Sequence, residues 1–154
     1  RKPLVTGLCY FCMDDTVSMS ESTIINLIEK AEVTIISSVD ENGFPNTKAM
    51  LPPREVNGIK EFYFSTNTSS LRVAQYKSNN KACLYFYNKR FFQGVMVIGE
   101  IQVLQDQETK VRIWRDGDDL YYPKGINDPD YCVLRFIGHK IRTYQNFKSE
   151  TLGI

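Results

Sequence analysis

Apolar residues recur in this chain at two spacings, one helical and one strand-like. Ile24, Leu27, Ile28 and Ala31 fall three and four apart, which predicts a helix over Ser20 to Ala31. Ser18 followed by Glu21 has capping-box spacing for its start. From Val33 to Val39 the residues are mostly β-branched, and Asp40-Glu-Asn-Gly43 supplies a hairpin turn. Asn46 to Leu51 reads as the returning strand, ended by Pro52-Pro53, because proline cannot donate to a ladder. Asn57-Gly58 is a second turn, and Ile59 to Ser65 a third strand in which Phe62 and Phe64 alternate with Tyr63. A loop, Thr66 to Ser70, opens a short helix that stops at Asn79-Asn80. Lys81 to Tyr87 and Val95 to Leu104 read as strands, and Asp106 caps a third helix running to about Arg115. Tyr131 to Ile137 and Lys140 to Tyr144 are the last strands, and Phe147 to Ile154 has no assignable pattern. Six or seven short strands joined by tight turns must be largely antiparallel. Closing them into a barrel leaves no exposed edge. The fold class predicted is mainly β, a barrel with a few helices, with residues 1–17 as an extension and 18–154 as one domain.

Composition narrows the function. At 154 residues, with 19 Lys+Arg against 18 Asp+Glu, the chain is sized for one core and has no net field to gather phosphates broadly. A nucleic-acid partner is therefore not expected. No apolar run approaches the roughly 18–20 residues of a membrane span, and no secretory leader is evident, so no membrane partner and a cytoplasmic location are expected. Cys83 and Cys132 lie in apolar stretches, where a reduced thiol behaves as a small hydrophobe. Cys9-Tyr-Phe-Cys12 has no second ligand pair for zinc and no βαβ context for a redox motif, so no metal site is predicted. His139 is the single histidine: a catalytic triad or a haem axial position would have to use it, and it also reads as a plain strand-end residue.

The chemistry concentrates after the third strand. In Ser65-Thr66-Asn67-Thr68-Ser69-Ser70-Leu71-Arg72, hydroxyls and one cation meet a helix start, a combination that suits a phosphate. The same residues also form an ordinary Ser/Thr cap on a surface helix. Lys48, on the preceding strand, would approach this loop if the Asn57-Gly58 turn paired the two strands; otherwise it is a solvated lysine on the outer face.

Several stretches carry a resemblance over residues 31 to about 147. They are Val39-Asp-Glu-Asn-Gly-Phe-Pro45, Lys48-Ala-Met-Leu51, Tyr63-Phe-Ser-Thr-Asn67 with Ser70-Leu-Arg72, and Asn79-Asn-Lys-Ala-Cys-Leu84. Gly94 to Glu100, Trp114, Tyr122-Pro-Lys-Gly125 and Asp128-Pro-Asp130 complete the set. In this order they resemble the flavin-binding split barrels related to pyridoxamine 5′-phosphate oxidase, in particular the short bacterial general stress protein branch. The resemblance implies a six-stranded antiparallel Greek-key barrel and a homodimer with FMN in two clefts at the subunit interface. It implies that Lys48 and Arg72 neutralise the FMN phosphate, that Thr66 and Ser70 donate to it, and that backbone at Ala49, Met50 and Ser65 lines the ring. Leu51, Asn67 and Leu71 belong to the same cofactor-binding stretches, with Leu71 standing where the full-length oxidase has an arginine. Gln93 is assigned to the partner subunit's contribution. Trp114 is placed near the flavin or the dimer seam, or alternatively in helix packing against the barrel. Flavin supplies electron-transfer chemistry itself, which accounts for a sequence with no evident acid, base or nucleophile cluster; the catalytic residues stay unassigned. The chain ends without the oxidase's arginine- and tryptophan-bearing segment, so vitamin B6 phosphate is not the expected substrate. The function implied is an FMN-dependent oxidoreductase acting on a small molecule. Two alternatives stay open, a non-catalytic flavin-binding or sensing protein and a barrel holding another ligand such as haem.

Overall fold

The computed structural model describes residues 18–154. The 1–17 extension with Cys9 and Cys12 lies outside the described residues.

Helix α1 (Glu21–Lys30) buries Ile24, Leu27 and Ile28, the face the spacing predicts. Its cap is Ser20, whose Oγ accepts the Thr23 N–H at 3.2 Å, so the Ser18/Glu21 spacing is not the one used. The strands are β1 (Thr34–Val39), β2 (Pro45–Met50), β3 (Glu55–Asn57), β4 (Glu61–Asn67), β5 (Lys81–Asn88), β6 (Gln93–Leu104), β7 (Tyr131–Gln145) and β8 (Lys148–Gly153). Helix α2 (Leu71–Ser78) follows β4, and α3 (Gln107–Ile113) follows β6. Two 3-10 turns, Asp118–Leu120 and Gly125–Asn127, lie between α3 and β7.

All pairings are antiparallel, in the order β2-β1-β5-β6-β7-β4-β3, with β8 added on β7. Setting β1 beside β5 and β4 beside β7 makes connections cross the ends, as a Greek key requires. The sheet curls around one apolar core. Ile36 of β1, Phe62 and Phe64 of β4, Phe86 of β5, Val97 of β6 and Phe136 of β7 all belong to it. The path ends at β2 and β3, and β2 is hydrogen-bonded to neither β3 nor β4.

Eight strands replace the six expected, and each difference has a local cause. The Asn57-Gly58 turn joins β3 to β4, not β2 to β4: Val56 pairs with Phe62, while β2 pairs with β1 through Ile36 and Lys48. The two last strands are one strand, β7. A register shift opposite Ile98/Gly99 takes up His139, so Gly138 faces Gly99 and Lys140 faces Ile98. Gly99 is needed there, because a Cβ would run into the Ile137 carbonyl. Finally β8 folds back through Asn146 and Phe147, whose φ angles are +49° and +62°. Two positive φ values make the hairpin turn that matches strand twist. Phenylalanine is unusual in it, and here its ring is 92% exposed.

Candidate functional site: a cation-lined cavity at the barrel seam

The gap between β2 and β4 opens into a cavity of about 270 Å³. One wall is the end of β2, Lys48 to Met50, continued by Leu51 and Pro52. The opposite wall is the end of β4, Phe64 to Asn67. Arg72 enters from the first turn of α2, and Arg54, Tyr121 and Tyr122 close one side. Lys48 and Arg72 thus meet at one cavity, but through closure of the barrel and not through a shared hairpin.

Local structure explains each placement. Lys48 opposes Ile36, which is fully buried. Opposed residues of an antiparallel pair project to one face, so Lys48 stands on the inner side of an edge strand. Lys48 is itself solvent-exposed. Arg72 is half-buried, and its Nε is buried with no hydrogen-bond partner among the described residues. Beside it, Tyr76 donates its hydroxyl to the Ser37 carbonyl at 2.8 Å. Burial pushes the Tyr76 phenol up, with the Arg72 charge acting against it. Among the described residues neither Lys48 nor Arg72 has an ion-pair partner.

The third cation, Arg54, is neutralised. Its two terminal nitrogens donate to both Asp118 oxygens at 2.8 and 2.9 Å, with side chains 13% and 5% exposed. Burial pushes the Asp118 carboxyl up, but the Arg54 and Arg115 N–H donors and both guanidinium charges hold it below the usual range. Among the described residues no carboxylate, thiol or imidazole lines the cavity. Its net character is two unpaired cations, the Ser65 and Thr66 hydroxyls, the Asn67 amide, and apolar surface from Met50 and Phe64. That donor set fits an anion with an apolar body.

The other predicted residues are distributed differently. Ala49, Met50, Leu51, Ser65, Thr66 and Asn67 line the cavity; Ser70 and Leu71 do not. Ser70 is the cap of α2, its Oγ accepting the Val73 N–H at 3.4 Å, and Leu71 turns outward, 70% exposed. Gln93 lies elsewhere on the same chain, its Nε2 donating to Gln145 Oε1 at 3.3 Å. Trp114 packs on Tyr131, edge to face at 5.2 Å, and on Tyr122 at 6.1 Å, in a second apolar cluster behind the cavity. It touches the site only through Tyr122. His139 sits in the β6–β7 bulge, its Nε2 3.5 Å from Glu100 Oε2, beside a different cavity that includes Cys83. Among the described residues no group of three or more His, Cys, Asp or Glu is placed to hold a metal ion.

Sequence reasoning missed Arg54, Tyr121 and Tyr122. The Asp118 carboxylate holds Arg54, and its main-chain carbonyl accepts the Tyr121 and Tyr122 N–H groups at 2.9 and 3.0 Å.

The pyridoxamine 5′-phosphate oxidase family profile matches residues 21–145. The chain belongs to this family. A pyridoxine/pyridoxamine 5′-phosphate oxidase from Agrobacterium fabrum is 29% identical over 103 residues, covering 64% of this chain and 44% of the relative. The chain thus spans less than half the length of that curated relative. A Clostridium acetobutylicum protein related to general stress protein 26 has a solved structure with a TM-score of 0.78 at 40% identity, over 88% of this chain and 97% of the other. A pyridoxamine 5′-phosphate oxidase-related, FMN-binding protein from Nostoc punctiforme superimposes with a TM-score of 0.67 at 13% identity, over 86% and 95% of the two chains, and shares the fold. The eight-stranded architecture described above is this family's split barrel.

Proposed function

We propose that the chain is an FMN-binding flavoprotein that acts as an oxidoreductase, passing electrons between FMN and a small molecule. The seam cavity carries this reading: Lys48 and Arg72 face one space, and among the described residues no carboxylate lines it and the buried Arg72 Nε has no partner. An unpaired buried N–H costs about 1–3 kcal/mol, and a phosphate oxygen is the charged acceptor that removes this cost. The residues present therefore fit FMN. Lys48 and Arg72 hold its phosphate, the Thr66 hydroxyl donates to it, and Met50, Phe64 and the β2 backbone flank the ring. Bound FMN supplies the electron transfer; the chain orients it and shields it from water. The FMN-binding relative from Nostoc punctiforme supports the same cofactor.

At about 270 Å³ the cavity is smaller than the roughly 300–1,000 Å³ usual for small-molecule sites. A second copy completing it accounts for the shortfall. The matching surface is the aromatic face of Tyr85, Tyr87, Phe92 and Tyr144, which surrounds an apolar cleft of about 310 Å³ bordered by Gln93. Tyr87 is 54% exposed there and Phe92 74%. Exposed apolar patches of this kind mark interaction surfaces. In the homodimer Gln93 is the residue each subunit offers to the flavin of the other. The free thiols of Cys83 and Cys132 suit a reducing compartment, the cytoplasm.

The test is an absorption spectrum after FMN is added and the excess removed. Retained bands near roughly 375 and 450 nm are expected, followed by bleaching of the longer-wavelength band when a reduced nicotinamide is added without oxygen. Retention without bleaching by any reduced nicotinamide moves the function to a non-catalytic flavin binder. No retained flavin overturns the reading.

A further inference from the structure

The segment between α3 and β7 reaches both walls of the seam cavity with one aspartate on each. Asp118 grips Arg54 on one side. On the other, Asp130 grips the loop that leads into α2. Its Oδ2 accepts from Asn67 Nδ2 at 2.8 Å, its Oδ1 from the Ser69 N–H at 2.8 Å, and its main-chain oxygen from the Thr68 N–H at 2.7 Å. Thr68 Oγ1 adds a bond to the Pro129 carbonyl at 3.2 Å. Asp130 is itself fixed, because its N–H donates to Asp128 Oδ1 at 3.0 Å while Asp128 Oδ2 accepts the Lys124 N–H at 3.1 Å. The Asn67 side chain first, then the Ser69 N–H, hold the Asp130 carboxyl below the usual range, so it is the charged acceptor at neutral pH.

Asn67 and Ser69 are exposed, and the loop from Asn67 to Ser70 contains no apolar residue. Its own turn bond, from the Ser70 N–H to the Asn67 carbonyl at 3.0 Å, closes the loop, and these four bonds tie it to the rest of the fold. The shape matters because Ser70 caps α2 and Arg72 follows in the first turn, so the position of the loop fixes where the Arg72 guanidinium points. The donors that the sequence offered for a phosphate, Thr68 and Ser69, are occupied holding the loop.

We propose that Asp130 is a positioning residue for the anion site: it braces residues 67–70 so that Arg72 is aimed into the seam cavity. This rests on the FMN reading above only in naming the anion as the FMN phosphate. The proposal has a sign that electrostatics alone does not share. A carboxylate near a dianion repels it, so removing its charge tightens anion binding if Coulomb forces are all that matter. Removing the brace weakens it.

Asp130→Asn keeps the size and one acceptor, and Asp130→Ala removes both acceptors. FMN affinity is expected to fall by about tenfold for Asp130→Asn and further for Asp130→Ala, the scale of one charge-assisted hydrogen bond. Amide exchange of Thr68 and Ser69 in the flavin-free variants is expected to quicken, while exchange in β6 and β7 stays slow. FMN binding unchanged or tighter in Asp130→Asn overturns the proposal, and so does unchanged exchange at Thr68 and Ser69. If the wild-type protein retains no flavin, the FMN reading fails alone. Inorganic phosphate, followed through the Arg72 Nε–H resonance, then decides the brace: weaker binding in Asp130→Asn upholds it, and equal binding or none in either protein overturns it.

Discussion

Replacing Arg72 by methionine separates a residue kept for binding from one kept for folding, because the two roles move stability in opposite directions. Arg72 is half-buried, and its Nε has no hydrogen-bond partner among the described residues. That unpaired donor costs about 1–3 kcal/mol. Methionine has similar length, fills the same space with an apolar chain and brings no donor. The flavin-free variant is therefore expected to match the wild type or exceed it by up to about 2 kcal/mol. For a chain of this size each kcal/mol moves Tm by roughly 2–4 °C. FMN binding is expected to change the other way. A lost charge-assisted bond to phosphate is worth about 1.5–3 kcal/mol, so Kd rises about 10- to 150-fold. Flavin fluorescence titrations at fixed ionic strength measure the second quantity, since screening acts over about 8 Å at physiological salt. Calorimetry of the apo protein measures the first. An unchanged Kd refutes the phosphate assignment. A stability loss above about 2 kcal/mol refutes the claim that Arg72 is poised for a ligand.

Three further outcomes follow from the same structure. Asp118→Ala leaves the Arg54 guanidinium uncompensated at 13% exposure and is expected to cost about 3–5 kcal/mol in denaturant unfolding; a loss below about 1 kcal/mol refutes the buried pair. Glu61 is held down to about 2, first by Arg135 and then by Asn57, so its stabilising contribution is complete above its ordinary 4.5 and is lost as pH falls toward about 2. Glu61→Gln should flatten the Tm–pH profile across that window, and an unaltered acid limb counts against the pairing. Gly99→Ala places a methyl against the Ile137 carbonyl in the bulge and is expected to destabilise by about 1–3 kcal/mol, whereas a neutral thermal melt means that the register shift does not need glycine.

What was readable in the sequence depended on how far each contact reached along it. Helix faces and strand cores were legible because Leu27 and Ile28, or Phe62 and Phe64, report burial through local spacing. The cofactor stretches were legible as a family resemblance, and the cavity gathers eight of the residues they named on its walls. The route by which Lys48 meets Arg72 was not legible, since it depends on sheet order and not on a turn. β8 was hidden because Asn146-Phe147 lacks the glycine that normally marks a two-residue hairpin. Arg54 and Asp118 were hidden because the partners are 64 residues apart and each reads locally as a surface charge. Ser70 and Leu71 show the converse: neighbours of a true lining residue inherit its label by sequence, although one caps a helix and the other faces solvent.

The position of the cavity also answers a problem the fold creates for itself. Among the described residues β2 pairs on one side only, with β1, and β4 pairs with β7 and β3. The free edge of β2 therefore presents main-chain N–H and C=O groups along Lys48, Ala49 and Met50, and such an edge invites pairing with another chain. Pro52 and Pro53 stop the edge from extending, and Tyr121, Tyr122 and the Arg54–Asp118 pair wall off one side. What remains open is a strand edge with polar groups in a line, an apolar floor, and two cations at one end. Under the proposed reading a flavin meets each of these demands, the ring edge taking the backbone groups and the phosphate taking the cations. The barrel core lies behind the seam and does not depend on either. Loss of the cofactor should accordingly leave the folded barrel in place and return β2 to a reactive edge, so flavin-free protein is expected to self-associate more than the loaded form in sedimentation at matched concentration. Equal association of the two forms would mean that the edge is protected by the chain alone.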